Sequence, residues 1–226
     1  MTIFVYAIKR GLLTPLALIL NCIIPLAVAI FFEGTENGMH FNLIAMLILW
    51  AGFSTAKSIQ KDKTDGVLIR ILAGPVTMRN YLIQNFLAAL VPMVILSTLI
   101  GLAVHFIHGW DFTVAAGLTI IYIFIAASSI GLSFAWSCLF KNQEAGMIAM
   151  SAVLTLTGTI GGFLVPLNIL PQSLYYIGAA LPAHWASRSL NAIINYGFTD
   201  MFWYGILAMT LFTVAFILYG SKRRLV

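Results

Sequence analysis

An all-helical membrane protein is the fold class this sequence predicts, and three observations predict it. Apolar and aromatic residues make up 61% of the 226 positions, against about 45–50% in a soluble domain. Charged residues make up only 8%, where about 25% is usual. Finally, six apolar stretches free of Lys, Arg, Asp and Glu recur along the chain. A soluble fold cannot cover itself with so few polar groups, so a cytosolic enzyme, a nucleic-acid-binding module and a disordered tail are all excluded. The net charge of +5 does not indicate a polyanion partner, because its basic residues cluster in a membrane-topology pattern.

The elements follow in order. Residues 2–14 read as an interfacial helix, with Ile3, Tyr6 and Ala7 beside Lys9 and Arg10 at the headgroups. Six spans are expected at 15–32, 41–56, 81–104, 114–140, 145–165 and 201–220. A crossing helix needs about 20 apolar residues, since lipid offers its backbone no hydrogen bonds. The second span is short and leans on the Lys57 stem; the fourth is long enough to tilt. Cleavage after Ala27-Val28-Ala29 is the alternative for the first span, but the apolar run continues to Phe32. Eleven of the twelve basic residues fall on one side of these spans. That side is the expected cytoplasm, with both termini there, in a cell membrane. Glu33, Glu36, Asp111, Asp200 and the lone Arg188 fall on the other. Cys22 and Cys138 sit in different spans and read as packing residues.

No phosphate loop, H-E-x-x-H or G-x-S-x-G motif is present. The expected spans carry no ionisable relay of the kind ion-coupled carriers use. His105 and His108 with Asp111 are conceivable metal ligands, but read better as polar residues at an interfacial helix end. Energy for uphill transport must come from another polypeptide.

The longest cytoplasmic segment, 57–80, is where that energy can enter. Thr64 is placed to cap a short helix whose Val67, Leu68, Ile71 and Leu72 form an apolar stripe, and Gly74-Pro75 ends it. Such a helix suits docking into a partner's groove. A basic loop lying on anionic headgroups satisfies the same stripe.

This segment resembles the stretch after the second span in ATP-binding-cassette type-2 permeases: Asp62, Asp65, Gly66, Leu68, Leu72 and Pro75 occupy the corresponding pattern, with Val67 where Thr is usual. The resemblance implies a coupling helix contacting an ATPase subunit, with Arg70 among the coupling residues. It extends to a partly embedded outer hairpin at 166–197, carrying Pro166, Pro171, Pro182 and Trp185; an ordinary outer loop is the alternative. Arg188 is then a hairpin anchor in preference to a contact for an anionic head group.

Ser151, Thr155, Gly158 and Gly162 are spaced for one helix face. They read either as packing within the chain or, as the resemblance implies, as a subunit interface beside the transport path. Asn21 and Pro25 (a polar group and a kink), with Ser54 and Thr55, are the other expected path residues. The resulting expectation is a single transmembrane domain over 1–226 in an exporter of amphipathic or hydrophobic cargo. No cofactor belongs to this chain; ATP and magnesium belong to the partner ATPase. The other partners are a second permease copy or paralogue and membrane lipid, with no nucleic acid. The alternatives are a non-transporting immunity or sensor scaffold, and a lipid-acting enzyme using His184 and Arg188.

Overall fold

The computed structural model describes residues 2–12, 19–31, 39–140 and 142–222. The entry to the expected first span, its Phe32 end, Glu33, Glu36, Lys141, Arg223 and Arg224 lie outside the described residues. So do the side chains of Lys9, Arg10, Thr55, Lys57 and Thr64.

Helices account for the described secondary structure, and no strand occurs among the described residues. They are α1 (Thr2–Leu12), a π-turn (Ile19–Ile23) running into α2 (Ile24–Phe31), α3 (Met39–Thr64), α4 (Val67–Leu72) and α5 (Met78–Phe106). Then come α6 (Phe112–Ser137), α7 (Gln143–Ile160), a 3-10 turn (Leu167–Ile169), α8 (Gln172–Gly178), α9 (Pro182–Tyr196) and α10 (Asp200–Lys222). By length and composition α5, α6 and α10 can cross a membrane, whereas 21–31, 39–54 and 144–160 are shorter apolar helices.

α6 is the central post, with α3, α5, α9 and α10 packed around it. Small residues allow that crowding, as membrane helices require where oily side chains gain nothing by leaving lipid. A Cβ on Gly52 of α3 would collide with Ser129 of α6, and one on Gly101 of α5 would stand 3.0 Å from the Ala115 carbonyl oxygen. Ser129 Oγ donates to the Leu49 carbonyl at 2.5 Å, and the buried Tyr122 hydroxyl donates to that of Phe41 at 3.1 Å. These two buried hydroxyls are thus satisfied across helices.

Two expectations need correction, and one helix outruns its expected span: α3 continues past Ala56 to Thr64, because nothing in Lys57–Lys63 breaks a helix. Thr64 is therefore the last residue of α3 rather than a cap: Gly66, at φ 70°, precedes α4. α7 ends at Ile160, not Val165; Gly161 closes it and Gly162 turns the chain at φ 99°.

The helices alternate between two ends of the molecule. One end gathers Lys61, Lys63, Arg70, Arg79 and Lys222 at α3–α5 and α10; the other holds Asp111, Asp200, Arg188 and the short helices α8 and α9.

Candidate functional site

At the basic end, α4 hangs from α3 by two residues. Asp65 N donates to the Lys61 carbonyl at 2.9 Å and Gly66 N to that of Lys63 at 3.3 Å, using up carbonyls that the helix end leaves free. After α4, Ala73 and Gly74 donate back to Ile69 and Ile71, and Pro75 leads to Thr77. The Thr77 side chain accepts from Asn80 N at 3.3 Å and caps α5.

The apolar stripe of α4 divides. Leu68 is buried and pins the helix, while Val67 and Ile71 turn inward. With Ile3, Tyr6 and Ala7 of α1, and with Asp62, Tyr81 and Asn85, they line a cleft of about 230 Å³. The α1 stripe expected at the headgroups thus also faces α4. Outward stand Asp65, Ile69, Arg70, Leu72 and Pro75, with Ile69 68% exposed. Ile69 lies off the expected stripe and was not among the sequence-predicted residues; only its neighbours' burial distinguishes it.

Asp62 differs from its expected place on a docking surface. It is buried, and its Oδ2 accepts from the Tyr81 hydroxyl at 2.5 Å. The bond joins the end of α3 to the start of α5 and braces both roots of the α4 segment. Lys63 Nζ adds a tie to the Phe140 carbonyl at 3.3 Å, beyond the end of α6.

Two expected path residues meet: Asn21 Nδ2 donates to Ser54 Oγ at 2.6 Å, and Ser54 Oγ donates to the Ala51 carbonyl. The π-turn holding Asn21 runs straight into the buried Pro25, which cannot donate to the preceding turn. The small-residue stripe does not form one working face. Ser151 and Thr155 bond back to Ile148 and Ser151 of their own helix, Gly158 lies against Met46 of α3, and Gly162 sits past the helix end beside Leu167 and Ser187. Gly158 is therefore packing within the chain, and Ser151 and Thr155 turn outward.

At the opposite end the prolines do what their fixed φ suits: Pro166 and Pro171 precede the short 3-10 turn and α8, and Pro182 opens α9. Trp185 Nε1 donates to the Ala179 carbonyl at 2.8 Å and ties α9 to the end of α8. Ser189 Oγ donates to the Phe202 carbonyl and fastens α9 to α10. His184 is buried edge-on to Tyr175, ring centroids 4.8 Å apart. Burial, and secondarily the Arg188 charge, hold its pKa below the ordinary 6.5. His105 and His108 donate to the carbonyls of Trp110 and Ala29, and no cluster of three metal-type ligands occurs among the described residues.

Among proteins of curated function, none matches the chain significantly. The family model described as ABC-2 type transporter matches residues 2–195. Proteins of this family are integral to membranes and work with cytoplasmic ABC ATPase subunits; the domain itself is not catalytic. The apolar helices packed on α6 and this match over most of the chain lead to one conclusion: the chain belongs to the ABC-2 type transporter family, as a permease subunit.

Proposed function

We propose that this permease is the membrane half of an ATP-driven exporter of amphipathic or hydrophobic cargo. It works as a pair, homo- or heterodimeric, with two cytoplasmic ATPase subunits in trans that hold ATP and magnesium. Six spans cross the cell membrane, the basic end faces the cytoplasm, and the α8–α9 hairpin dips into the outer leaflet.

The observation that carries this reading is the outer face of α4. Ile69, Arg70 and Leu72 stand exposed beside Asp65 on a helix held from behind by Leu68. A short helix with apolar and charged residues facing out fits a groove on a partner. Closure of the ATPase pair on nucleotide pushes α4. The Asp62–Tyr81 brace passes that push to α3 and α5, and the spans move between inward-open and outward-open arrangements. The uncharged Asn21–Ser54 pair, with Trp50 and Phe53 in edge-to-face contact 5.9 Å apart, suits an oily cargo better than an ion or a sugar.

The test is the double substitution Asp65→Ala with Leu72→Ala in the permease reconstituted with its ATPase. Transport per ATP hydrolysed should fall about tenfold or more, a loss of about 1.4 kcal/mol of coupling, at unchanged expression. Unaltered transport would refute the docking role of α4.

A further inference from the structure

A groove of about 400 Å³ lies between α9 and α10, at the end of the molecule away from α4. Trp185 and Arg188 of α9 form its mouth, and Tyr204, Leu207, Ala208 and Leu211 of α10 form its wall. These α10 residues recur at three- and four-residue steps, so they make one stripe about 10 Å long at a rise of about 1.5 Å per residue. Tyr204, Leu207 and Leu211 remain 58%, 58% and 62% exposed.

Depth is set by the Ser189–Phe202 bond and by the close approach at Gly205, where a Cβ would stand 2.7 Å from the Trp185 carbonyl oxygen. Both contacts put Arg188 within about one turn of the Asp200 end of α10, at headgroup level, with the apolar stripe running deeper. The Arg188 guanidinium carbon sits 5.5 Å from the centroid of the Trp185 ring, and that ring is fixed by its own bond to Ala179. Among the described residues no carboxylate pairs with Arg188. A planar fork held in place, facing a groove that is otherwise aromatic and aliphatic, matches one phosphate and one acyl chain.

The geometry points to a binding site for a single anionic phospholipid, its phosphate on Arg188 and one acyl tail along Tyr204–Leu211. The charge complementarity, with Trp185 and Tyr204 both lining the groove near headgroup level, favours lipid over a second copy of the chain. The site goes beyond the export reading and stands apart from α4, so its test needs no transport.

Native mass spectrometry of the full chain, offered equimolar phosphatidylglycerol and phosphatidylcholine of the same tails, measures occupancy directly. The wild type should retain phosphatidylglycerol about tenfold over phosphatidylcholine, and Arg188→Gln should abolish that preference. Arg188→Lys should keep part of it, because the charge remains and the fork is lost. Leu207→Trp, which fills the groove and leaves the arginine in place, should lower retention of both lipids. Equal retention of the two lipids by the wild type would overturn the proposal. So would an Arg188→Gln chain that still prefers phosphatidylglycerol, or a Leu207→Trp chain that binds normally. Efficient cross-linking of two Leu207→Cys chains through that position would also overturn it, by assigning the groove to a second copy. If Arg188→Gln does not elute as a folded species, Arg188→Lys and Leu207→Trp decide the matter.

Discussion

The two ends of this permease are built on opposite plans. At the basic end, α4 is six residues long, buries Leu68, and shows Ile69, Arg70 and Leu72 outward. At the far end, α9 buries nine of its fifteen residues, among them His184, Ser187 and Ser189, and is tied to the turn after α7 and to α10. One end is a light element on a stiff mount; the other is packed on two sides. The difference teaches how burial sets freedom: a helix held by one buried leucine keeps a free face, and a helix with most of its residues buried is packed like the interior of a bundle.

Substitutions sharpen that contrast. The largest effect is expected from Gly205→Val, because its Cβ and branches would run into the Trp185 carbonyl oxygen and Ser189. Overpacking against backbone should cost about 3 kcal/mol. It should appear as a lower unfolding temperature, with hydrogen exchange quickened over 182–210 and unchanged around α4. If protection around α4 were lost as well, the two ends would be one cooperative unit and the contrast would fail.

Tyr81→Phe attacks the other end. Removing the hydroxyl takes a hydrogen bond from the buried Asp62, at a cost of about 1–3 kcal/mol. Exchange should quicken in α4 and the start of α5 while the hairpin keeps its protection.

A smaller effect is expected at His184. Its folded pKa lies below the unfolded value of 6.5, so the unfolded chain binds the proton more readily. The contribution of His184 to stability is complete above pH 6.5 and is lost as pH falls through the folded value. Unfolding temperature should therefore drop on acidification, and His184→Gln should flatten that slope. Smallest of all is Ile148→Ser on the outward face of α7, where Ile148 is 72% exposed. In the isolated chain this should change stability by less than about 0.5 kcal/mol. A larger loss, read by thermal unfolding, would mean that α7 has inward contacts at this position.

Much of this was legible in the sequence because membrane helices announce themselves by what they omit. The charge-free stretches marked α5, α6 and α10, and Gly74-Pro75 marked the end of α4, whose start lies at Gly66 rather than at the expected Thr64. Prolines at 166, 171 and 182 mark the starts of the short helical pieces between α7 and α10. Hydropathy misled where it was asked for helix ends. It marks the edge of an apolar run, so it places a span edge at residue 56 with no sign that the polar continuation of α3 is helical, and it carries the fifth span past Gly161-Gly162 to residue 165. The buried place of Asp62 was invisible because it depends on Tyr81, nineteen positions away. The Ser151–Gly162 spacing suggested one surface, but a regular spacing describes a face only while the helix lasts.

The join at Asp65-Gly66 has a consequence of its own. No heavy atom beyond its two chain neighbours comes within 4 Å of where a Cβ on Gly66 would sit, yet its φ of 70° is one that other residues adopt at a cost of about 1–2 kcal/mol. The glycine is thus required by backbone angle rather than by space. With only those two residues between helices, the joint has little slack. On the proposed coupling role, a few degrees of rotation at α4 would reach the far end of the 26-residue α3 as a displacement of ångströms.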